Sequence, residues 1–219
     1  MQVAGADVWK GRWVVVVLED GRFDRSFVAP TIVEAVSELT GAAAIGIDMP
    51  IGLPHDGARR PADVAAREFV GPRRNSVFFT PSAEVLDRAT LTEANGLARS
   101  QGWSGITAQA FALKKQILAV EPVAVADERI WEVHPEVSFA EASGATLEWP
   151  KSCWNGVALR RGILEAQGVV LPDDLGPGGV AAVADVLDAA IAAWSAARIA
   201  GGRGRSFPED AQRIGAIWR

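Results

Sequence analysis

The sequence predicts an α/β protein with a mixed central sheet and flanking helices. Residues 1–28 contain three short apolar segments separated by turn residues, which is the pattern of antiparallel strands. A helix and a short buried strand follow, and helical and strand patterns alternate over the rest of the chain. Hydrophobic residues make up 49% of the 219 residues, enough for a sizeable core, and this length suits a single domain spanning 1–219.

Three strands open the chain. The β-branched run Val14–Leu18 leads to Asp20-Gly21, a dipeptide that favours a two-residue hairpin turn. Val3–Asp7 before this run and Arg22–Val28 after the turn have the composition of strands. We therefore expect an antiparallel meander joined by tight turns.

The first predicted helix spans Thr31–Leu39. Thr31 suits the N-cap position because its hydroxyl can accept a hydrogen bond from the first turn, and Glu34 three residues later forms a capping box with it. Apolar residues recur at helical spacing within the segment. Gly41 then ends the helix, because glycine readily adopts the conformation needed after a helix C-terminus.

A short apolar run, Ala43–Asp48, ends in an acid and is followed by Met49-Pro50. It predicts a buried strand parallel to the first strand. Residues 50–60 contain repeated glycine and proline and predict a loop. Pro61–Phe69 predicts a helix with proline in its first turn.

Residues 71–106 mix glycine, proline, arginine and serine and give no clear periodicity. Beyond them the sequence predicts a helix, a strand ended by Pro135, and two further helices. Their ranges are Ala108–Val120, Arg129–His134, Gly156–Gln167 and Ala181–Ala200, the last ended by Gly201–Gly204. Three early strands, a helix, a parallel strand and then alternating α and β units is the order of elements in the RNase H-like fold.

Charge and cysteine content restrict the function classes. The net charge of −5 and pI of about 5.2 argue against a general basic surface for long nucleic acids but allow a local basic patch. The single cysteine, Cys153, cannot form an intramolecular disulfide, so we expect a cytoplasmic protein, and no N-terminal signal is evident. Asp185, Asp188 and Arg198 make the apolar stretch 180–200 a buried helix rather than a membrane span.

Acidic residues fall at the ends of the predicted strands. Asp7 and Asp48 each follow an apolar run, and Glu132 lies within the strand Arg129–His134. An ionised carboxylate near a core is costly unless it is paired or binds a metal. The three positions therefore predict one acidic site.

The last predicted helix adds two more acids. Asp185 and Asp188 are three residues apart, which places both on one helix face. Mg²⁺ and Mn²⁺ prefer carboxylate oxygens, and two such ions about 4 Å apart can activate water and stabilise the leaving oxygen in phosphodiester cleavage. We predict that Asp7, Asp48, Glu132 and Asp185 ligate the metal and that Asp188 shares the catalytic role, with the choice between the two helix acids open.

Five segments together resemble the DUF429 family, in the same order and through nearly the whole chain. The resemblance implies an RNase H-like fold and a nuclease activity, and it adds Lys151 to the residues expected to contact substrate. The Asp185–Ala189 pattern also resembles the last helix of RuvC-type Holliday junction resolvases, which carries metal-binding aspartates. The segments are Gly5–Trp13, Ile47–Pro54, Glu132–Phe139, Arg67 with Gly71–Phe78, and Lys151 with Gly156 and Arg160.

Each acid also has a structural explanation. Asp7 can begin a turn, and Asp48 can form an Asx turn before the following proline. Glu132 can form a buried ion pair with an arginine, and Asp188 can do the same from its helix. Solvation of an exposed helix face would account for Asp185.

Basic residues provide candidate substrate contacts. The arginine-rich stretch 59–74 can hold phosphates, and Arg67 and Arg74 are its predicted binding residues, although such runs often form solvated faces. His134 can ligate metal, orient a water or bind substrate, or it can be hydrogen-bonded inside the fold.

These residues favour a divalent-metal-dependent nuclease or phosphodiesterase acting on a nucleic acid or a small phosphodiester. An alternative is a non-catalytic module that binds nucleic acid or protein on a nuclease-like scaffold. Val8, Trp9 and Arg12 motivate it, because the family usually has smaller residues after the aspartate. A nucleotide-dependent phosphotransferase is a third hypothesis. Proteins of that kind typically need two RNase H-like cores, whereas this chain has room for one, and it contains no P-loop sequence.

Overall fold

A computed structural model describes all 219 residues. Its centre is a five-stranded mixed sheet in the order β3-β2-β1-β4-β5. β1 to β3 form the predicted antiparallel meander, whereas β4 and β5 run parallel to β1. This topology confirms the predicted α/β fold of the RNase H-like kind. The strands are β1 (Gln2–Trp9), β2 (Arg12–Glu19), β3 (Arg22–Ala29), β4 (Ile45–Ile47) and β5 (Ile130–Glu132).

Two-residue turns fix the register of the meander. Lys10 and Gly11 join β1 to β2 with positive φ angles of 50° and 78°, and Asp20 and Gly21 join β2 to β3 with 50° and 77°. Two consecutive positive φ angles define the hairpin turn whose twist matches that of the flanking strands. The turn predicted at Asp20-Gly21 is therefore confirmed.

Nine helices surround the sheet. The structure confirms the four helices predicted outside residues 108–120, each within two residues at either end. In the first of them, Thr31 is the N-cap and its side chain accepts from the Glu34 backbone. The helices are α1 (Ile32–Ser37), α2 (Pro61–Phe69), α3 (Ala83–Leu86), α4 (Leu91–Ser100), α5 (Ala108–Ala112), α6 (Lys114–Ala126), α7 (Pro135–Ser143), α8 (Trp154–Ala166) and α9 (Val183–Ala200). None of these helices is long and apolar enough to cross a membrane.

Both faces of the sheet are covered, which explains why β2 is buried along most of its length. Alternate residues enter two separate core clusters. Val14 and Val16 belong to the cluster formed with α7, α8 and α9. Val15 and Val17 belong to the cluster formed with α1 and α6.

Helix α9 lies directly against the middle of the sheet. Gly5 of β1 and Gly46 of β4 are paired neighbours in the sheet. A Cβ atom on Gly5 would lie 2.1 Å from the Ala189 carbonyl oxygen, and one on Gly46 would lie 2.5 Å from that of Ala192. The two glycines and the alanine-rich helix therefore permit a backbone approach that no larger residue would allow.

The structure differs from the prediction in three places. The helix predicted over 108–120 is broken at Leu113 and continues to Ala126. The strand predicted over Arg129–His134 ends at Glu132, and Pro135 occupies the first position of α7, where its missing N–H has no helical partner to lose. The C-terminal segment forms two short strands, β6 (Ser206–Phe207) and β7 (Ile217–Trp218), and β7 bridges to Val133 beside β5.

Candidate functional site

Three aspartates meet at one edge of the sheet. Asp7 lies near the end of β1, Asp48 directly follows β4, and Asp188 lies in the second turn of α9. One carboxylate oxygen from each lies within 4.8 Å of the others. Asp7 and Asp188 are buried, and Asp48 is partly exposed. The structure thus brings together two of the predicted strand-end acids and one of the predicted helix acids.

The local fold explains this convergence. β1 and β4 are parallel and pair Ala6 with Ile47, so Asp7 and Asp48 are the next residues on adjacent strands. The Asp48 backbone N–H donates to the Ala6 carbonyl at 3.0 Å, which holds the two strand ends together. Ala192 of α9 packs against Gly46 of β4. Asp188 lies one helical turn before Ala192, on the same side of α9.

The three carboxyl groups are easier to protonate than ordinary aspartates. Burial raises the pKa of Asp7 well above its usual value, and the nearby charges of Asp48 and Asp188 raise it further. Burial likewise raises the pKa of Asp48 and of Asp188 to about 6. A cluster of this kind favours any cation that can enter it, because each ionised carboxylate raises the free-energy cost of ionising the next one.

Lys151 supplies a positive charge to the cluster. It lies between α7 and α8, and its ammonium group forms an ion pair with the Asp188 carboxylate. The charges of Asp188, Asp48 and Asp7 all raise the Lys151 pKa, although burial opposes them. The Lys151 side chain is 45% exposed, so the ammonium can leave the cluster for solvent without repacking of the core.

Asp185 faces the same cavity from the first turn of α9 but is not among the three close carboxylates. It is partly exposed, and burial raises its pKa. The structure therefore separates the two helix acids, with Asp188 inside the cluster and Asp185 at its rim.

Glu132 has a different environment from the one predicted. Arg60 donates to both of its carboxylate oxygens, at 2.8 and 2.6 Å, and the Ile51 backbone N–H donates at 2.6 Å. All three groups are buried. The buried ion pair with an arginine, the alternative that the sequence offered for Glu132, is therefore present, and Glu132 is not one of the three close carboxylates.

The same ion pair fixes the wall of the cavity. Arg60 also donates to Asp63 at 2.6 Å, and Asp63 accepts from the Thr80 backbone N–H at 2.7 Å. The loop after β4, the start of α2 and the segment 77–80 are thereby tied together. The sequence placed Arg60 in an arginine-rich stretch but did not identify its partner Glu132, which is 72 residues away in the chain.

His134 lies on the cavity wall. Its Nε2 atom lies 3.3 Å from the Ser76 carbonyl oxygen, and its Nδ1 atom is buried without a hydrogen-bond partner. Burial lowers the His134 pKa, which favours the neutral ring. With its proton on Nε2, the ring presents Nδ1 as an acceptor.

Arg73 is the partly exposed arginine that faces the cavity. It donates to Glu136 at 2.8 Å, and the buried Arg160 donates to the other Glu136 oxygen, also at 2.8 Å. The predicted binding residues Arg67 and Arg74 do not line this cavity. They lie in a second groove, on the other side of the segment 77–80.

The cavity around the aspartates has a volume of about 380 Å³. Its lining combines the acidic cluster with Lys151, Arg73 and His134, and it includes apolar residues such as Phe78. This volume is large enough for a phosphodiester and an adjoining sugar-sized group.

The model of the family described as "Protein of unknown function (DUF429)" matches residues 5–213. The chain belongs to the DUF429 family. Among solved structures, this DUF429 protein is similar to "T. thermophilus RuvC in complex with Holliday junction substrate", with 15% identity over 93% of this chain and 97% of that chain and a TM-score of 0.39. A comparison with curated protein sequences gave no match.

The aspartate cluster of this DUF429 protein fits a divalent cation. Its donors are carboxylate oxygens, the hard ligands that such ions prefer, and one from each aspartate lies within 4.8 Å of the others. The arrangement is therefore able to hold a divalent metal ion.

Proposed function

We propose that residues 1–219 form one RNase H-like domain that acts as a divalent-metal-dependent nuclease or phosphodiesterase. The observation that carries this proposal is the convergence of Asp7, Asp48 and Asp188 within 4.8 Å at the edge of the sheet. These residues would ligate Mg²⁺ or Mn²⁺, with Asp185 as a further ligand at the rim. The substrate is a nucleic acid or another phosphodiester, and the single cysteine is consistent with a cytoplasmic location.

The bound ion would activate water and stabilise the charge that develops on the phosphate. Lys151, once released from Asp188, and Arg73 would contact the phosphate oxygens, because both are partly exposed cations that line the cavity. His134, which lines the cavity and stays neutral because burial lowers its pKa, would bind the substrate beside the aspartates. The Arg60–Glu132 pair would hold the cavity wall in place.

The test compares wild-type protein with Asp48→Asn on a panel of phosphodiesters in Mn²⁺ or Mg²⁺. The panel contains single-stranded and duplex DNA, RNA and bis(p-nitrophenyl) phosphate. We expect cleavage that needs the metal and falls by at least about a hundredfold in Asp48→Asn, since a ligand is lost. Asp173→Asn is the matched control, because Asp173 is exposed and forms no ion pair.

A folded wild-type protein that binds Mn²⁺ but cleaves no member of the panel would contradict the proposal. One observation favours the second candidate, a non-catalytic binding module: the Lys151 ammonium is an internal cation paired with Asp188. Isothermal titration with Mn²⁺ separates the two candidates. The absence of metal binding in a folded sample supports the binding module.

A further inference from the structure

The second groove is lined by arginines and one aromatic ring. It lies on the other side of the segment 77–80 from the aspartates and has a volume of about 400 Å³. Its cations are Arg59, Arg67 and Arg74, and Phe79 lies between the first two. Glu68 is the one carboxylate in its lining and forms no ion pair.

Phe79 holds two of these arginines in position. The Arg59 guanidinium carbon lies 4.1 Å from the centre of the Phe79 ring, and that of Arg67 lies 4.6 Å from it. Arg67 also donates through one nitrogen to the carbonyl oxygens of Arg74 and Val77, which leaves its other nitrogens available. Stacking and these hydrogen bonds reduce the entropy that the arginines would lose on binding an anion.

The charge of this groove has no internal partner. Arg59 and Arg74 are exposed, and none of its three arginines forms an ion pair with a carboxylate. By contrast, Arg60 and Arg73 in the same stretch of sequence are both paired. In a protein of net charge −5, such a concentration of free guanidinium groups fits a polyanion, because guanidinium groups bind phosphates well.

The groove and the cavity that holds the aspartates lie near each other, on either side of a small crevice. Thr80 lines both that cavity and a small crevice at Trp103, and Arg59 and Phe79 line both the crevice and the groove. Trp103 is partly exposed and packs against Gly57. A chain that leaves the aspartates past Thr80 therefore meets an aromatic surface and then the three arginines.

We propose that this arginine groove binds the backbone phosphates of a nucleic-acid strand whose phosphodiester lies at the aspartates. The proposal rests on the proposed function and makes its substrate a polynucleotide rather than a mononucleotide or small phosphodiester. Two phosphate sites separated by one segment of chain require a ligand with several phosphates.

The experiment measures the affinity of a fluorescent single-stranded oligonucleotide of about twelve nucleotides by anisotropy. The measurement is made in EDTA, so that no cleavage occurs. The groove variant combines Arg59→Ala with Arg74→Ala, both exposed positions whose replacement leaves the core intact. The control combines Arg22→Ala with Arg161→Ala, which removes the same charge from exposed positions elsewhere.

We expect the groove variant to bind the oligonucleotide about tenfold more weakly than wild type. The slope of log affinity against log salt concentration should also become shallower by about 1.4, because two phosphate contacts to a single strand are lost. The control should stay within about twofold of wild type. An equal loss of affinity in both double variants would overturn the proposal, because only total charge would then matter.

The outcome does not depend on catalysis. Weaker binding confined to the groove variant, in a protein that cleaves nothing, would reject the nuclease function and retain the groove. Cleavage of oligonucleotides by a protein whose groove variant binds as tightly as wild type would retain the function and reject the groove.

Discussion

Lys151 is the residue whose role depends most directly on charge. Its ammonium interacts with three acids whose carboxyl groups have raised pKa values, and it lowers the pKa of each of them. A divalent ion that enters the cluster would compete with this ammonium for Asp188. The residue therefore stabilises the metal-free fold and opposes metal binding at the same time.

Replacement of Lys151 by methionine should separate these two effects. In EDTA the melting temperature should fall by a few degrees, since the cluster loses its cation. The affinity for Mn²⁺ should rise several-fold, because no internal cation competes with the metal. Calorimetry and isothermal titration measure the two quantities, with Lys115→Met as control because Lys115 is exposed and unpaired. Weaker Mn²⁺ binding in Lys151→Met would show that the lysine assists the metal.

The sequence placed Glu132 near the site but did not decide whether it binds metal or pairs with an arginine. Its place in a strand predicted a carboxylate near the site, and it does line the cavity. Its role is decided by Arg60, which is 72 residues away in the chain and cannot be recognised as its partner from spacing. The sequence also did not distinguish Asp188 from Asp185, because both lie on one face of one helix.

The Glu132→Gln variant should be less stable but still bind metal. It leaves the buried Arg60 guanidinium with Asp63 as its one carboxylate partner, and removal of one partner from a buried ion-pair network costs about 3 kcal/mol. Urea unfolding measures this loss, and Mn²⁺ titration of the folded protein measures the metal affinity. A loss of Mn²⁺ affinity as large as that of Asp48→Asn would restore Glu132 as a ligand.

At the scale of elements, the contact of α9 with β1 and β4 places Asp188 beside the two strand-end acids. The sequence predicted all three elements, but it did not show how closely the helix approaches the sheet. That distance depends on Gly5 and Gly46 facing alanines far along the chain. Helix α7 was missed for a local reason, since Pro135, predicted to end a strand, begins a helix.

Gly46→Ala should disturb the site by moving α9. A Cβ atom there would lie 2.5 Å from the Ala192 carbonyl oxygen, which is backbone and cannot rotate away. We expect a loss of about 2–3 kcal/mol in the free energy of unfolding, together with weaker Mn²⁺ binding. The control Gly162→Ala has no atom within 4 Å of the new Cβ and lies inside α8, so it should stabilise the protein slightly. Equal effects of the two variants would contradict the close-packing argument.

At the scale of the whole molecule, the sequence predicted the architecture well where its signals were local. The Asp20-Gly21 turn, the β-branched strands and the amphipathic or alanine-rich helices each depend on neighbouring residues. The C-terminal strands β6 and β7 gave no signal because each has two residues and β7 bridges to Val133, which is distant in sequence. The arginine stretch was recognised from composition, but only the fold divides it between the cavity wall and a separate groove.

The acidic cluster should also make the stability of the whole protein depend on pH in a defined direction. Asp48 and Asp188 have pKa values of about 6 in the folded protein and ordinary values near 3.8 when unfolded. Between these values the folded state holds more protons, so the cluster's contribution to stability falls as pH rises from about 4 to about 6 and then stays low.

Divalent metal ions should restore this lost stability at pH values where the carboxylates are charged. Melting temperatures of wild type in EDTA and in Mn²⁺, measured from about pH 5 to about pH 8, should show a metal-induced increase that is small at the acidic end and grows above the pKa of about 6. In EDTA, Asp48→Asn should gain stability relative to wild type over the same rise in pH, because it removes one of the charges that repel each other. A metal-induced increase that is equally large at both ends of the range would mean that the ion binds away from these three aspartates, at groups that are already ionised at about pH 5.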